Sequence, residues 1–139
     1  MQPLFAPDHR QEDHRQGRCL CGAVRYDWTG PVNWVGHCHC ESCRRATAAP
    51  FTTFVSTPDR QLHWHGTAPA IFASSPGVER LFCPRCGTPL AYRTAELPDE
   101  THTYLANLLD AAGLPPDRHF FWNERVDWIT LADDGLPRE

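Results

Sequence analysis

From Gly17 onward, apolar and polar residues alternate in short runs, each broken by Gly, Pro, Asp or Ser. That is the pattern of half-buried antiparallel strands joined by turns. It predicts strands at Cys19 to Trp28, Asn33 to His37, Phe51 to Ser56, Gln61 to His65, Ile71 to Ser74, Arg80 to Phe82, Leu90 to Thr94, Thr103 to Ala106 and Val126 to Thr130. Prolines and glycines interrupt almost every window long enough for three helical turns. One short helix survives this, at Glu41 to Thr47, which has no breaker and follows directly from Cys40. Residues 1–16 are polar and without apolar period, so they read as a mobile arm, and residues 17–139 as a single mainly β domain with little helix.

Composition narrows the function. The formal net charge of -4 lacks the basic footprint that phosphate recognition needs, so no nucleic-acid partner is expected. All 13 basic residues are Arg. Without lysine there is no Schiff-base chemistry and no phosphate-loop lysine. No apolar run reaches membrane-spanning length, and the charged start lacks the apolar stretch of a signal peptide. No membrane association is expected, and the cytoplasm is the expected location.

In reducing cytosol, close cysteine pairs read as metal or redox sites rather than disulfides. The seven cysteines divide as four plus three, the numbers for one closed and one open zinc site. In Phe82-Cys83-Pro84-Arg85-Cys86-Gly87, two thiols flank a tight turn; Pro84 presets one dihedral and Gly87 permits a positive φ. Their expected partners are Cys19 and Cys21, which on a strand would share one face and send Leu20 into the core. A redox pair at Cys83 and Cys86, or plain buried thiols, are the alternatives.

The run His37-Cys38-His39-Cys40-Glu41-Ser42-Cys43-Arg44-Arg45 places three more thiols within six residues. Three protein ligands with a vacant position is the catalytic zinc pattern, and the vacancy suits water or a thiol. A fourth ligand from His37, His39, His63 or His65 would close the site instead. His39 should point away from Cys38 and Cys40 on an extended backbone. Arg44 and Arg45 could offset the negative charge of the thiolates or hold a carboxylate, unless they form a solvated helix face.

At these residues the chain resembles the glutathione-dependent formaldehyde-activating enzyme family, also called the CENP-V/GFA family. The matching pieces are Gly17 to Tyr26, His37 to Arg45, Phe82 to Leu90, and Pro116 to Trp122 with Trp128 and Asp134 to Pro137 behind it. One departure is Ala46-Thr47-Ala48-Ala49-Pro50, where many relatives carry a Gly. The resemblance implies an Mss4-like β-tent in which Cys19, Cys21, Cys83 and Cys86 hold a structural zinc. Cys38, Cys40 and Cys43 would hold a labile one. It implies a carbon–sulfur lyase-type reaction in which a small thiol, glutathione, adds to a small aldehyde such as formaldehyde. The competing reading is a non-catalytic zinc module that binds a partner through the aromatic surface around Phe120, Phe121 and Trp122. A homodimer is compatible with either.

Overall fold

The computed structural model describes residues 13–139. Ten strands and one α-helix form two sheets. The smaller contains β1 (His14–Arg18), β2 (Val24–Thr29) and β5 (Leu62–Gly66) in the order β1-β2-β5. The larger contains β3 (Trp34–Cys38), β4 (Thr52–Pro58), β6 (Ala70–Ser75), β7 (Val78–Phe82), β8 (Pro89–Thr94), β9 (Glu100–Tyr104) and β10 (Arg118–Phe120). Its order is β10-β3-β4-β9-β8-β7-β6. Every pairing is antiparallel except that of β10 with β3, which is parallel. The helix α1 (Glu41–Thr47) interrupts the connection from β3 to β4 and coincides with the segment free of breakers. No helix among the described residues is long and apolar enough to cross a membrane.

Alternation along three strands sets the layering. Val24, Tyr26 and Trp28 lie on one face of β2 and are fully buried. They pack with Val35, Val55, Leu62 and Leu90 in the main core, between the small sheet and one face of the large sheet. The opposite face of the large sheet carries a second cluster of Cys38, Cys43, Phe54 and Tyr104, with Trp34, Tyr92 and Phe120 packed against it. Val55 and Phe54 are neighbours on β4, so the two-residue period of the strand sends one to each layer.

Two strands depart from the sequence pattern. β1 runs through residues assigned to the N-terminal arm; its polar sequence is that of a sheet edge, with Gly17 buried under the Tyr26 ring at a point where a Cβ would collide with that ring. Residues 1–12 of that arm lie outside the described residues. Val126 to Thr130 is irregular, and the C-terminal strand is instead the three-residue β10.

The α1 helix ends in the left-handed conformation at Ala48 (φ 55°, ψ 35°), within the Ala46 to Pro50 segment. An L-residue pays about 1–2 kcal/mol there that glycine does not. Ala48→Gly should therefore raise stability by about 1 kcal/mol, read as an increased denaturation midpoint with unchanged slope. A lowered midpoint would mean that the Ala48 side chain makes contacts worth more than the strain.

Candidate metal centres

Two turns meet at one end of the main core. One, between β1 and β2, carries Cys19 and Cys21; the other, between β7 and β8, carries Cys83 and Cys86. The first pair lies on a turn rather than a strand, so Leu20 points out to solvent, 82% exposed, and not into the core. All four sulfurs lie within 4.8 Å of one another. Cys19 and Cys21 are 3.6 Å apart, and Cys21 and Cys83 are 3.9 Å apart. A tetrahedron of sulfurs at the zinc–thiolate bond length has an edge of about 3.8 Å, so this donor set fits such an ion.

Backbone donors are aimed at the same sulfurs. Val24 N–H points at Cys19 Sγ (3.3 Å), and the N–H groups of Arg85 and Cys86 point at Cys83 Sγ (3.4 and 3.5 Å). The Thr88 hydroxyl accepts from Leu20 N (3.0 Å) and sits 3.1 Å from Cys86 Sγ, bridging the two turns. That hydroxyl is the main cause that brings the Cys86 thiol down to about 5. Cys21 is pushed up to about 11, because the lowering by the Ala23 backbone is outweighed by desolvation and the neighbouring thiols.

The second cysteine group lies on the other face of the large sheet. Cys38 ends β3, Cys40 is the N-cap of α1 and Cys43 sits in its first turn. Cys38 and Cys43 sulfurs are 3.7 Å apart, and Cys43 N–H donates to Cys40 Sγ at 3.4 Å. The Cys38 and Cys43 thiols hold Cys40 far below the ordinary thiol range, while the same proximity raises Cys38. The spacing is again that of a tetrahedral sulfur site, but among the described residues this group comprises three thiols alone.

None of the four histidines considered from sequence joins it. His39 indeed faces away, and His37 Nδ1 meets the Thr53 hydroxyl at 2.8 Å. His65 pairs with Asp27 at 3.0 Å, and His63 lies with it on β5 in the small sheet. The arginines also differ from expectation. Arg44 donates from Nε to the His39 carbonyl (3.2 Å), and Arg45 pairs with Glu41 (2.9 Å) on the exposed side of the helix. The guanidinium at the thiols is that of Arg80 on β7, with two nitrogens 3.8 Å from Cys43 Sγ and one 3.2 Å from Ser42 Oγ. Tyr92 supports it by stacking, 5.2 Å from the ring centroid. Arg80 lies 37 residues from Cys43 in the chain and is brought there by sheet order, so no local sequence signal marks it.

A third group, His37, His119 and Asp134, also lies within 4.8 Å. Its atoms are already committed to hydrogen bonds. The Asp134 carboxylate accepts from His119 Nε2 (2.7 Å), which leaves His119 Nδ1 to accept from His39 Nε2 (2.9 Å). His119 and His39 are buried, so this chain of bonds ties the C-terminal segment to β10 and β3. Burial, followed by His119 and His37, brings His39 down to about 4, so its ring is neutral at neutral pH.

The three thiols open into a cavity of about 680 Å³ walled by Trp34, Phe54, Tyr92, Phe120 and Phe121. Of Phe120, Phe121 and Trp122, only Phe121 is largely exposed. Trp122 is covered by Arg125 and Arg138 and packs on His39 and His119. The three do not form one aromatic docking surface.

Comparison with known proteins places this geometry. Residues 14–124 match the family model described as "Glutathione-dependent formaldehyde-activating enzyme". An uncharacterized lyase of Schizosaccharomyces pombe is 34% identical over 77 residues, covering 55% of this chain and 56% of the relative, so the match spans little more than half of that protein. A Halomonas elongata protein, provisionally named glutathione-dependent formaldehyde-activating enzyme, is 29% identical over 133 residues, covering 88% of this chain and 84% of its own. A crystal structure of a Rhodobacter sphaeroides protein shares the fold, with a TM-score of 0.57, 17% identity and coverage of 89% and 99%.

The buried His39 gives a pH dependence with a definite sign. Its folded value lies below the ordinary 6.5, so between pH 6.5 and 4 the unfolded chain takes up a proton that the folded chain refuses. Stability is complete above this window and falls as pH drops through it. His37 and His102, both lowered chiefly by burial, act in the same direction. His39→Gln should flatten the loss between pH 6.5 and 5 by up to about 2 kcal/mol in melts of metal-loaded protein. An unchanged slope would place the acid sensitivity elsewhere.

Proposed function

Since the chain belongs to the glutathione-dependent formaldehyde-activating enzyme family, we propose that it is a zinc-dependent carbon–sulfur lyase-type enzyme joining a small thiol, glutathione, to an aldehyde such as formaldehyde. The observation that carries this reading is the three-thiol group: tetrahedral spacing, no fourth ligand in the group among the described residues, and an open cavity beside it. Zinc held there supplies a Lewis-acid position that favours the deprotonated form of an incoming thiol. Cys38, Cys40 and Cys43 are assigned to that ion, and Cys19, Cys21, Cys83 and Cys86 to a structural one.

The chain's own residues do the rest. Arg80 places a fixed positive charge beside Cys43, offsetting the accumulation of negative charge when a thiolate enters. Arg45 lines the cavity mouth, where it can meet a substrate carboxylate only by sharing itself with Glu41. Arg44, turned back on the His39 carbonyl, is assigned to holding the helix rather than to the substrate. The aromatic wall lowers the local dielectric and keeps water from competing for the carbonyl carbon. All seven thiols are free, which suits the reducing cytoplasm to which we assign the protein.

The proposal is tested by exchange spectroscopy on glutathione and hydroxymethylglutathione at low formaldehyde. Zinc-loaded protein should speed the exchange well above buffer, and Cys40→Ser should abolish the effect while melting as a folded protein. No acceleration by the parent protein, with formaldehyde or with a larger aldehyde in its place, would reject the enzyme reading. Structural zinc contributes roughly 10–16 kcal/mol of apparent binding free energy, as much as a whole domain's stability. Cys86→Ser should therefore give insoluble or unfolded chains. If Cys86→Ser instead stays soluble and two-state while Cys40→Ser collapses, the structural and open roles are reversed.

A further inference from the structure

The cavity beside the three thiols has to take glutathione as well as the aldehyde, but its wall is far more aromatic than a peptide thiol and formaldehyde require. A pocket of roughly 300–1,000 Å³ is the class that encloses a drug-sized ligand, and this one, at about 680 Å³, lies in the middle of that range. Its wall is a connected set of rings. Trp34 meets Phe120 edge-on at 4.9 Å and His102 at 4.7 Å, and Tyr92 stacks on His102 at 5.5 Å. Phe120 in turn covers Gly36 so closely that a Cβ at that glycine would lie 2.6 Å from the ring. The wall is thus built and locked, not a chance exposure of side chains.

The mouth adds a second and third observation. Phe121 is 52% exposed and its backbone sits in the left-handed region (φ 54°), a strained conformation for a bulky residue. The fold therefore holds an aromatic ring at the entrance at a cost. Glu41, Glu96 and Glu124 line the same cavity, against which, among the described residues, Arg45 is the cation of the lining, paired with Glu41, and Arg80 stands behind Cys43 and Ser42. Such a rim suits the α-ammonium group of a γ-glutamyl thiol, whose two carboxylates are left to Arg45 and Arg80, so no cation of the lining is left over for a third carboxylate on the aldehyde.

We propose that the aldehyde substrate carries an uncharged aromatic or branched apolar group, which lies against Trp34, Phe54, Tyr92 and Phe120 with its carbonyl carbon over the three sulfurs. This rests on the thiol-addition reading above and names the substrate class for it. The step is an addition: the C–S bond forms, the carbonyl π bond breaks, and the thiol proton ends on the carbonyl oxygen. Nothing is oxidised or reduced, and the product is a hemithioacetal. The aromatic wall acts through differential binding, since a group that reaches it orients the carbonyl and a two-heavy-atom aldehyde cannot.

The test compares exchange rates on the zinc-loaded full chain with glutathione and, in turn, formaldehyde, phenylacetaldehyde and glyoxylate. Acceleration over buffer should be at least tenfold greater for phenylacetaldehyde than for formaldehyde, and weakest for glyoxylate. Phe121→Ala, on the surface and therefore safe for folding, should collapse the phenylacetaldehyde-to-formaldehyde ratio, as should Trp34→Leu. Equal or greater acceleration of formaldehyde would overturn the aromatic assignment while leaving thiol addition standing. Acceleration of benzyl mercaptan with formaldehyde, with none for phenylacetaldehyde, would assign the ring to the thiol and overturn the proposal as stated. No acceleration of any pair would reject both this inference and the reading beneath it.

Discussion

Everything in this structure depends on four sulfurs meeting at the end of the main core. The turn after β1 and the turn after β7 are more than sixty residues apart in sequence, as Cys21 and Cys83 illustrate, yet their sulfurs lie 3.9 Å apart. Cys19 and Cys83 are buried and belong to the core cluster with Tyr26, Trp28 and Leu90, so the sulfur group and the apolar core are continuous. Bringing four ionisable thiols together without a cation costs energy, visible in the raised Cys21, where the lowering by the Ala23 backbone is outweighed by desolvation and mutual repulsion. A divalent ion reverses the sign of that energy, and the small sheet is then fastened to the large one at this point.

The second sulfur group uses the same chemistry for a different end. It lies across the large sheet from the core, on a strand terminus and the first turn of a seven-residue helix, with Arg80 as its counter-charge and an aromatic cavity in front. None of its three cysteines belongs to the main core cluster; they pack with Phe54 and Tyr104 in the second. Loss of an ion here need not unfold the chain, which is what a position meant for exchange requires. The Asp134–His119–His39 chain stiffens the back of the same region by fastening the C-terminal segment behind Cys38 and Cys40.

The cysteine grouping, the helix over Glu41 to Thr47 and eight of the strands, β2 to β9, were legible in the sequence to within about five residues at their ends, because each has a local cause. Ligand spacing, absence of breakers and two-residue alternation act over a handful of positions. What was not legible is non-local. β1 is an edge strand whose polar residues carry no apolar signal, and β10 is too short for alternation to register. Leu20 was expected inside because alternation was extended into a turn, where it does not hold. Arg44 and Arg45 were the cations nearest the thiols in sequence, whereas Arg80 is nearest in space, because pairing of β7 with β8 carries it there. The residues that bear the metal announce themselves; the residues that tune it do so only through the fold.

The central claim is that one sulfur site is closed and the other has a place for a substrate thiol. X-ray absorption at the zinc edge on metal-loaded protein measures this directly, as the mean number of sulfurs per ion. Four ligands at one site and three at the other predict a mean of about 3.5, rising towards four when glutathione is added. A mean of four before glutathione, or a mean that does not move when it is added, would contradict the account.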